Sequence, residues 1–246
     1  MRTSFHRIAY EALDVCNALE MAAVDRAVTL SGLRPGARAL DIGTGNGAVA
    51  GRLAQRFGMA VTAVERDPAM ADLARERTAG LDVRVAEMTS TAAMDAEGPF
   101  DLMVVIGATD PAGPGSREPE AAMERLREHL TPGGFILWGD LVWTDTPPEP
   151  LRLIVEGSNT YHTDAGYRRA AEGAGLEVVS AEMSSDATWD RYVATMDGAA
   201  QAWLSAHPDA PEAGAVRTSA DRVKAMFDFG REFIGFGLYL LRRPQE

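Results

Sequence analysis

Short apolar runs alternate along this chain with longer segments in which apolar residues recur at helical spacing. The run that begins at Phe100 shows no alternation of apolar and polar residues, which is typical of a strand buried on both faces of a parallel sheet. The alternation of strands and helices predicts an α/β fold with a doubly wound sheet. The predicted strands are Ala39 to Ile42, Ala60 to Val64, Val83 to Ala86, Phe100 to Gly107, Phe135 to Gly139, Leu176 to Met183 and Gly235 to Leu241.

Segments between these runs predict helices. Pro68 suits the first turn of one helix, and Thr163 is expected to cap another. The predicted helices are Ser4 to Ser31, Val49 to Phe57, Pro68 to Thr78, Glu120 to Leu130, Thr163 to Gly173, Trp189 to Ala206 and Ala213 to Phe233. The proline-rich stretches Asp110 to Pro119 and Thr146 to Pro150 predict loops, because proline disrupts a helix interior or a central strand.

The length of 246 residues suits one elaborated α/β domain, so we expect residues 1–246 to form a single domain. Residues 1–32 predict an N-terminal helical lid. Residues 185–234 predict a helical insertion, or cap, before the last strand.

Net charge limits the expected partners. The chain carries a formal charge of −12, and without a long basic stripe it repels nucleic acid and anionic membrane surfaces. Lys224, the single lysine, lies far from the glycine-rich segment, so a phosphate-binding P-loop has no lysine to use. No run reaches the ~18 apolar residues of a membrane span. We expect a cytoplasmic monomer or homodimer that acts on a small molecule.

Cysteine and histidine usage argues against a disulfide framework and a metal site. Cys16 is the single cysteine. Four histidines are scattered without the spacing of metal ligands: His6, His129, His162 and His207. We expect no metal.

A glycine-rich segment, Asp41 to Gly47, joins the first predicted strand to a helix. Alternating glycines allow a sharp turn and a close approach of the backbone to a ligand. The exposed N–H groups at the helix start favour an anionic group. Glu65 ends the second predicted strand 20 positions after Gly45, about where a nucleotide-binding α/β unit places the acid that binds a ribose.

These residues resemble motifs I and II of the class I S-adenosylmethionine (SAM) dependent methyltransferases, whose loop reads acid-x-Gly-x-Gly-x-Gly. A dinucleotide-binding loop needs its third glycine one position later, where this chain has Ala48, a permitted variant. A nicotinamide-dependent oxidoreductase therefore stays an alternative, as does a SAM-binding protein without catalysis. The resemblance implies a seven-stranded sheet with the last strand antiparallel.

The resemblance also implies SAM as cofactor and S-adenosylhomocysteine (SAH) as product. It places Asp41 near the cofactor's amino group, Glu65 on the ribose hydroxyls, and Glu87 and Met88 at the adenine. For the last two, a surface acid and a core methionine is an equally good interpretation. The expected cofactor-binding residues are Asp41, Gly43, Thr44, Gly45, Asn46, Gly47, Glu65, Arg66, Glu87, Met88, Ile106 and Gly107.

Acceptor-side candidates come from the ends of the later strands and from the first helix. Asp110, His162 and Tyr10 are the candidate catalytic residues. A turn cap is the alternative for Asp110, and a structural role is the alternative for His162. The candidate substrate-binding residues are Asp140, Trp143, Tyr161 and Trp189. For the two tryptophans, packing in the core without contact to a substrate is the alternative.

We therefore expect in-line transfer of a methyl group from SAM to an oxygen, nitrogen or carbon of a small-molecule acceptor. The alignment of two bound reactants is expected to supply much of the rate.

Overall fold

A computed structural model describes residues 3–157 and 159–245. Its strands form one seven-stranded sheet in the order β3-β2-β1-β4-β5-β7-β6, in which β7 is antiparallel to both neighbours and the other pairs are parallel. The predicted α/β fold class is confirmed. The strands are β1 Arg38–Ile42, β2 Ala60–Val64, β3 Val83–Ala86, β4 Phe100–Ile106, β5 Leu130–Trp143, β6 Glu177–Met183 and β7 Ile234–Arg242.

Helices connect and cover the strands. Thr163 accepts a hydrogen bond from the Gly166 backbone as an N-cap, and Pro68 occupies a first helical turn, as predicted. The helices in the described residues are α1 Phe5–Glu11, α2 Met21–Ser31, α3 Ala48–Phe57, α4 Pro68–Arg77, α5 Ser90–Glu97, α6 Pro119–Glu128, α7 Glu149–Val155, α8 Asp164–Gly173, α9 Asp186–Ala206 and α10 Ala213–Gly230.

The prediction of one continuous helix from Ser4 to Ser31 is wrong. The chain leaves the helical path between α1 and α2. Side chains from other elements donate hydrogen bonds to backbone carbonyls that would accept intrahelical hydrogen bonds in a continuous helix. The side-chain amide of Asn46 donates to the carbonyls of Tyr10 (2.9 Å) and Leu13 (2.8 Å). Arg77 also donates to the Leu13 carbonyl, at 3.1 Å. These tertiary contacts outweigh the local helical pattern.

Two further differences concern the proline-containing stretches. Strand β5 runs through Pro132 to Gly134, ahead of the predicted strand Phe135 to Gly139, and a register shift against β4 between Phe100 and Leu102 accommodates the extra residues. Helix α7 begins directly after Pro148, within the stretch that predicted a loop, and Pro150 lies in its first turn, where a missing N–H costs nothing. Both α7 and α5 are short helices that the sequence pattern did not predict.

Strand β4 explains why its sequence lacks alternation. Leu102, Val104 and Ile106 pack into a hydrophobic cluster on one face of the sheet, and Met103 and Val105 pack into a second cluster on the other. Burial on both faces favours apolar residues at successive positions.

The N-terminal helix and the helical insertion lie together on one face of the sheet. Helix α1 packs against α9 and α10. Phe5 of α1 shares a hydrophobic cluster with Trp189, Tyr192 and Phe227 of the insertion. Among the described residues, no helix is long and apolar enough to cross a bilayer.

We predict that Gly47→Ala destabilises the fold more than Gly32→Ala. Both glycines have a left-handed backbone (φ +76° and +65°), so each variant carries a strain of about 1 kcal/mol or more. Only at Gly47 would the new Cβ meet backbone, 2.8 Å from the Ala74 Cα of α4, whereas nothing lies within 4 Å at Gly32. Urea unfolding is expected to show a further loss of about 1–3 kcal/mol for Gly47→Ala. Equal losses in the two variants would contradict this packing constraint.

Candidate functional site

The glycine-rich loop follows β1 and leads into α3. Gly45 has φ +57°, and a Cβ at this position would lie 3.0 Å from the Cys16 sulfur. A side chain at Gly45 is therefore opposed both by the backbone conformation and by a neighbour from the segment between α1 and α2.

Glu65 connects the end of β2 to this loop. Its Oε2 accepts a hydrogen bond from the Gly45 amide at 3.0 Å. Its Oε1 accepts from the amides of Arg66 (2.8 Å) and Asp67 (3.0 Å). The backbone thus holds this carboxylate in one orientation at the wall of a cleft.

The cleft opens at the carboxyl ends of β1, β2 and β4, where the strand order reverses between β1 and β4. Ligands of open α/β sheets bind at this switch point. Its volume of about 280 Å³ lies close to the lower end of small-molecule sites, which span ~300–1,000 Å³. The expected site residues that line it are Tyr10, Gly43, Gly45, Glu65, Arg66, Met88, Ile106, Gly107 and Asp110.

Four expected cofactor residues lie beneath or beside the cleft wall instead of lining it: Asp41, Thr44, Asn46 and Gly47. Asp41 is buried, and this burial raises the pKa of its carboxyl to about 6, although the hydrogen bond from the Thr44 hydroxyl (2.5 Å) opposes the shift. Asn46 is committed to structural bonds, since its Oδ1 accepts from the Ala48 amide at 3.0 Å and its Nδ2 holds the N-terminal segment. Gly47 allows the close approach of α4.

Glu87 also does not line the cleft. Its Oε1 accepts from Arg75 at 2.7 Å on the surface, while its neighbour Met88 lines the cleft. The two residues of this pair therefore have different surroundings.

Asp110 occupies the cleft wall just beyond β4. It is the one residue other than glycine in the described chain with a positive φ, at +49°. Its Oδ1 is buried without a hydrogen-bond partner among the described residues. Because its carboxylate makes no hydrogen bond to the following turn, it does not act there as the side-chain cap that the alternative interpretation expected.

Tyr10 reaches the cleft from α1. Burial raises the pKa of its hydroxyl, with a further contribution from the nearby Cys16, and the hydroxyl of Tyr192 on α9 lies close to it. Tyr10 therefore stays a neutral phenol whose side chain lines the cleft and whose hydroxyl lies near Tyr192.

Three other candidates lie in a different groove. Trp143, Tyr161 and His162 line this groove near the end of β5, and none of them lines the cleft. The Trp143 indole donates to Glu156 at 3.0 Å, and the His162 ring lies 3.5 Å from Glu118. Burial, together with the negative charge of Asp140, raises the pKa of Tyr161 above its usual value.

The last two candidates are buried in the protein. Asp140 lies 4% exposed on β5, and burial raises its pKa to about 8, opposed by the hydrogen bond from the Leu141 amide. Trp189 packs in the hydrophobic cluster against Tyr192 and Phe227. Neither residue lines the cleft.

Sequence reasoning missed Cys16, Asn17 and Asn159. Cys16 and Asn17 line the cleft only because the N-terminal helix is interrupted, and burial raises the pKa of the Cys16 thiol to about 12. Asn17 donates to the Ile106 carbonyl at 3.2 Å. Asn159 carried no motif, yet it is buried against the loop that contains Asp110. Across the described residues, His, Cys, Asp and Glu side chains form no group of three or more that could hold a metal ion.

Known proteins resemble this chain in both sequence and structure. The family described as Methyltransferase domain matches residues 39–134. The uncharacterized protein YjhP of Escherichia coli (strain K12) is 30% identical over 216 residues, which cover 85% of this chain and 86% of YjhP.

Two crystal structures share the fold over nearly the whole chain. A SAM-dependent methyltransferase from Geobacter sulfurreducens in complex with SAH superposes with a TM-score of 0.82 at 23% identity, covering 96% of each chain. The structure of E. coli YjhP superposes with a TM-score of 0.78 at 25% identity, covering 96% of this chain and 98% of YjhP. With its glycine loop, its Glu65 and its sheet order, the chain belongs to the class I SAM-dependent methyltransferase family.

Proposed function

We propose that this protein binds SAM in the cleft and transfers its methyl group to a small-molecule acceptor. The observation that carries the proposal is the meeting of Gly43, Gly45, Glu65 and Gly107 around one cleft at the switch point of the sheet. The sulfonium cofactor supplies an electrophilic methyl group. The protein's residues bind the cofactor, orient the acceptor and exclude water.

The charges of the cleft favour this cofactor over a dinucleotide. Three acids, Glu65, Asp67 and Asp110, line the cleft, and Arg66 is the one arginine or lysine that the described residues contribute to its lining. A pyrophosphate would be repelled by such a wall, whereas a sulfonium cation is attracted.

Glu65 is the proposed ribose-binding residue. A carboxylate only accepts hydrogen bonds, and three backbone amides leave one of its roughly four lone-pair positions, on Oε2, for a ribose hydroxyl. Because three backbone amides fix its orientation, the acid is in place before a ligand arrives. Asp41, below the loop, is proposed to attract the cationic amino group of the cofactor.

We further propose that the residue ranges 1–32 and 185–234 act as lid and cap of a single domain. In the described part, Tyr10 and His6 of the lid line the cleft, and α9 of the cap supports α1. This roof favours a small acceptor and limits access of water. Asp110 and Tyr10 are the proposed residues on the acceptor side, because of all the acceptor-side candidates they alone line the cleft.

SAH binding tests the role of Glu65. In calorimetric titrations with SAH, Glu65→Ala is expected to weaken binding by about tenfold or more, since it removes hydrogen bonds to a charged group. Glu65→Gln is also expected to weaken binding, because its amide nitrogen would face a backbone N–H donor in place of one accepting oxygen. Glu177→Ala is the matched control, an exposed acid on β6 that pairs with Arg242 away from the cleft, and its affinity is expected to stay close to wild type. Unchanged SAH affinity in Glu65→Ala would refute the ribose role.

The pH dependence of SAH binding tests the role of the Asp41 charge. Burial raises the pKa of Asp41 to about 6, so this carboxyl becomes neutral as the pH falls below that value. The neutral form no longer attracts an ammonium group, and SAH affinity is therefore expected to be highest above pH ~6 and to decline toward pH ~5. Asp41→Asn should remove this part of the pH dependence. Identical pH profiles for the two proteins would exclude a role for the Asp41 charge.

A further inference from the structure

The loop after β4 is held by a residue from a distant part of the chain. Asn159, between α7 and α8, is buried; its Nδ2 donates to the Ala108 carbonyl at 3.0 Å, and its Oδ1 accepts from the Asp110 amide at 3.4 Å. Both halves of one side-chain amide are therefore used on the backbone around Asp110.

Two more contacts fasten the same segments to each other. The Thr160 amide donates to the Arg117 carbonyl at 3.2 Å, and the Arg117 guanidinium donates to the Gly157 carbonyl at 3.1 Å. The loop that carries Asp110 is thus braced from the side of β5, where the Trp143 amide also bonds the His162 carbonyl.

Asp110 adopts an unfavourable backbone conformation under this constraint. Its φ of +49° is uncommon for a residue with a side chain, although aspartate and asparagine tolerate it best. Such strain persists where the surroundings over-determine it, and it clusters at functional sites. Here the bonds from Asn159 are the surroundings that hold it.

The result is a carboxylate oxygen that is buried and unpaired. Asp110 Oδ1 has no hydrogen-bond partner among the described residues, although buried polar atoms almost always have one. Asp110 follows β4 and lines the same cleft as Glu65 and Met88, which follow β2 and β3. A ligand held at Glu65 therefore lies in the cleft that Asp110 also lines.

We infer that Asn159 is a positioning residue that holds the Asp110 carboxylate for an acceptor whose methylated nitrogen or oxygen carries a hydrogen. This inference rests on the proposed function and narrows its substrate class to amines and hydroxyl compounds. An ionised carboxylate has no hydrogen to donate, so its free oxygen needs an N–H or O–H partner.

A lone pair of the acceptor nitrogen or oxygen forms the bond to the methyl carbon, while the carbon–sulfur bond breaks and its electron pair stays on sulfur, which leaves SAH. The hydrogen of the acceptor atom passes as a proton to the Asp110 carboxylate and from there to water. Asn159 takes no part in bond making and acts only through the placement of Asp110.

The experiment uses sinefungin, a SAM analogue that carries a primary amine where SAM carries its methyl group. Its N–H donors would lie at the position of the transferred methyl group, next to the place proposed for the acceptor atom and Asp110, whereas SAH has no group there. In calorimetric titrations of the full-length protein, wild type is expected to bind sinefungin about tenfold more tightly than SAH, as for a hydrogen bond to a charged group. Asp110→Asn keeps a residue that tolerates the left-handed conformation, and it is expected to remove most of this preference with SAH affinity unchanged.

Asn159→Leu tests the positioning role, because leucine fills a similar volume without hydrogen bonds. It is expected to reduce the sinefungin preference and to leave SAH affinity close to wild type, whereas a merely structural defect would weaken both ligands alike. Asn159→Ser serves as the second variant if the leucine variant does not fold, and the same loss of preference is expected of it.

The outcomes separate the two proposals. If wild type binds SAH and sinefungin equally, or if the folded Asn159 variant keeps the full preference, the inference about Asp110 and Asn159 is overturned while the cofactor site stands. If wild type binds neither ligand, the proposed function itself fails.

Discussion

The side chain of Asn46 makes the hydrogen bonds on which the architecture of the cleft depends. Its Oδ1 caps the start of α3 through the Ala48 amide, and its Nδ2 holds the carbonyls of Tyr10 and Leu13. One side-chain amide therefore joins the loop after β1 to the N-terminal segment that contains Tyr10 and Leu13. Because the N-terminal segment must follow this attachment, it leaves the helical path and brings Cys16 and Asn17 into the cleft.

Hydrogen bonds to backbone amides distinguish two carboxylates of this site, Glu65 and Asp110. The amide of Gly45 is held by Glu65, so the loop and the acid support each other, and neither needs a ligand to take up its conformation. Preorganised groups of this kind reduce the cost of ordering on binding. After β4, Asp110 is held by its backbone, and its Oδ1 has no hydrogen-bond partner among the described residues. The site thus combines one acid that is already satisfied with one that is not.

Much of the fold and of the cofactor side follows from local patterns. The glycine loop, Glu65 and the strand that carries Ile106 and Gly107 are each recognisable from contiguous residues or from a short, regular spacing. The parallel sheet then brings the ends of β1, β2 and β4 to one edge. The acceptor side does not follow from such local patterns. Trp143, Tyr161 and Trp189 are predicted only from their side-chain chemistry and their place in the chain. The fold directs them into a second groove or into the core.

The amino-acid sequence by itself determined the α/β alternation, the doubly buried central strand and the family to which the loop points, because periodicity and glycine spacing are local properties. Only the tertiary structure decided where the N-terminal helix breaks, that Asn17 lines the cleft and that Asn159 packs against the loop of Asp110. It also decided that Asp110 keeps a free oxygen. Those features arise from hydrogen bonds between residues far apart in the chain, such as Asn159 to Ala108 across 51 positions, and no local pattern encodes such a pairing.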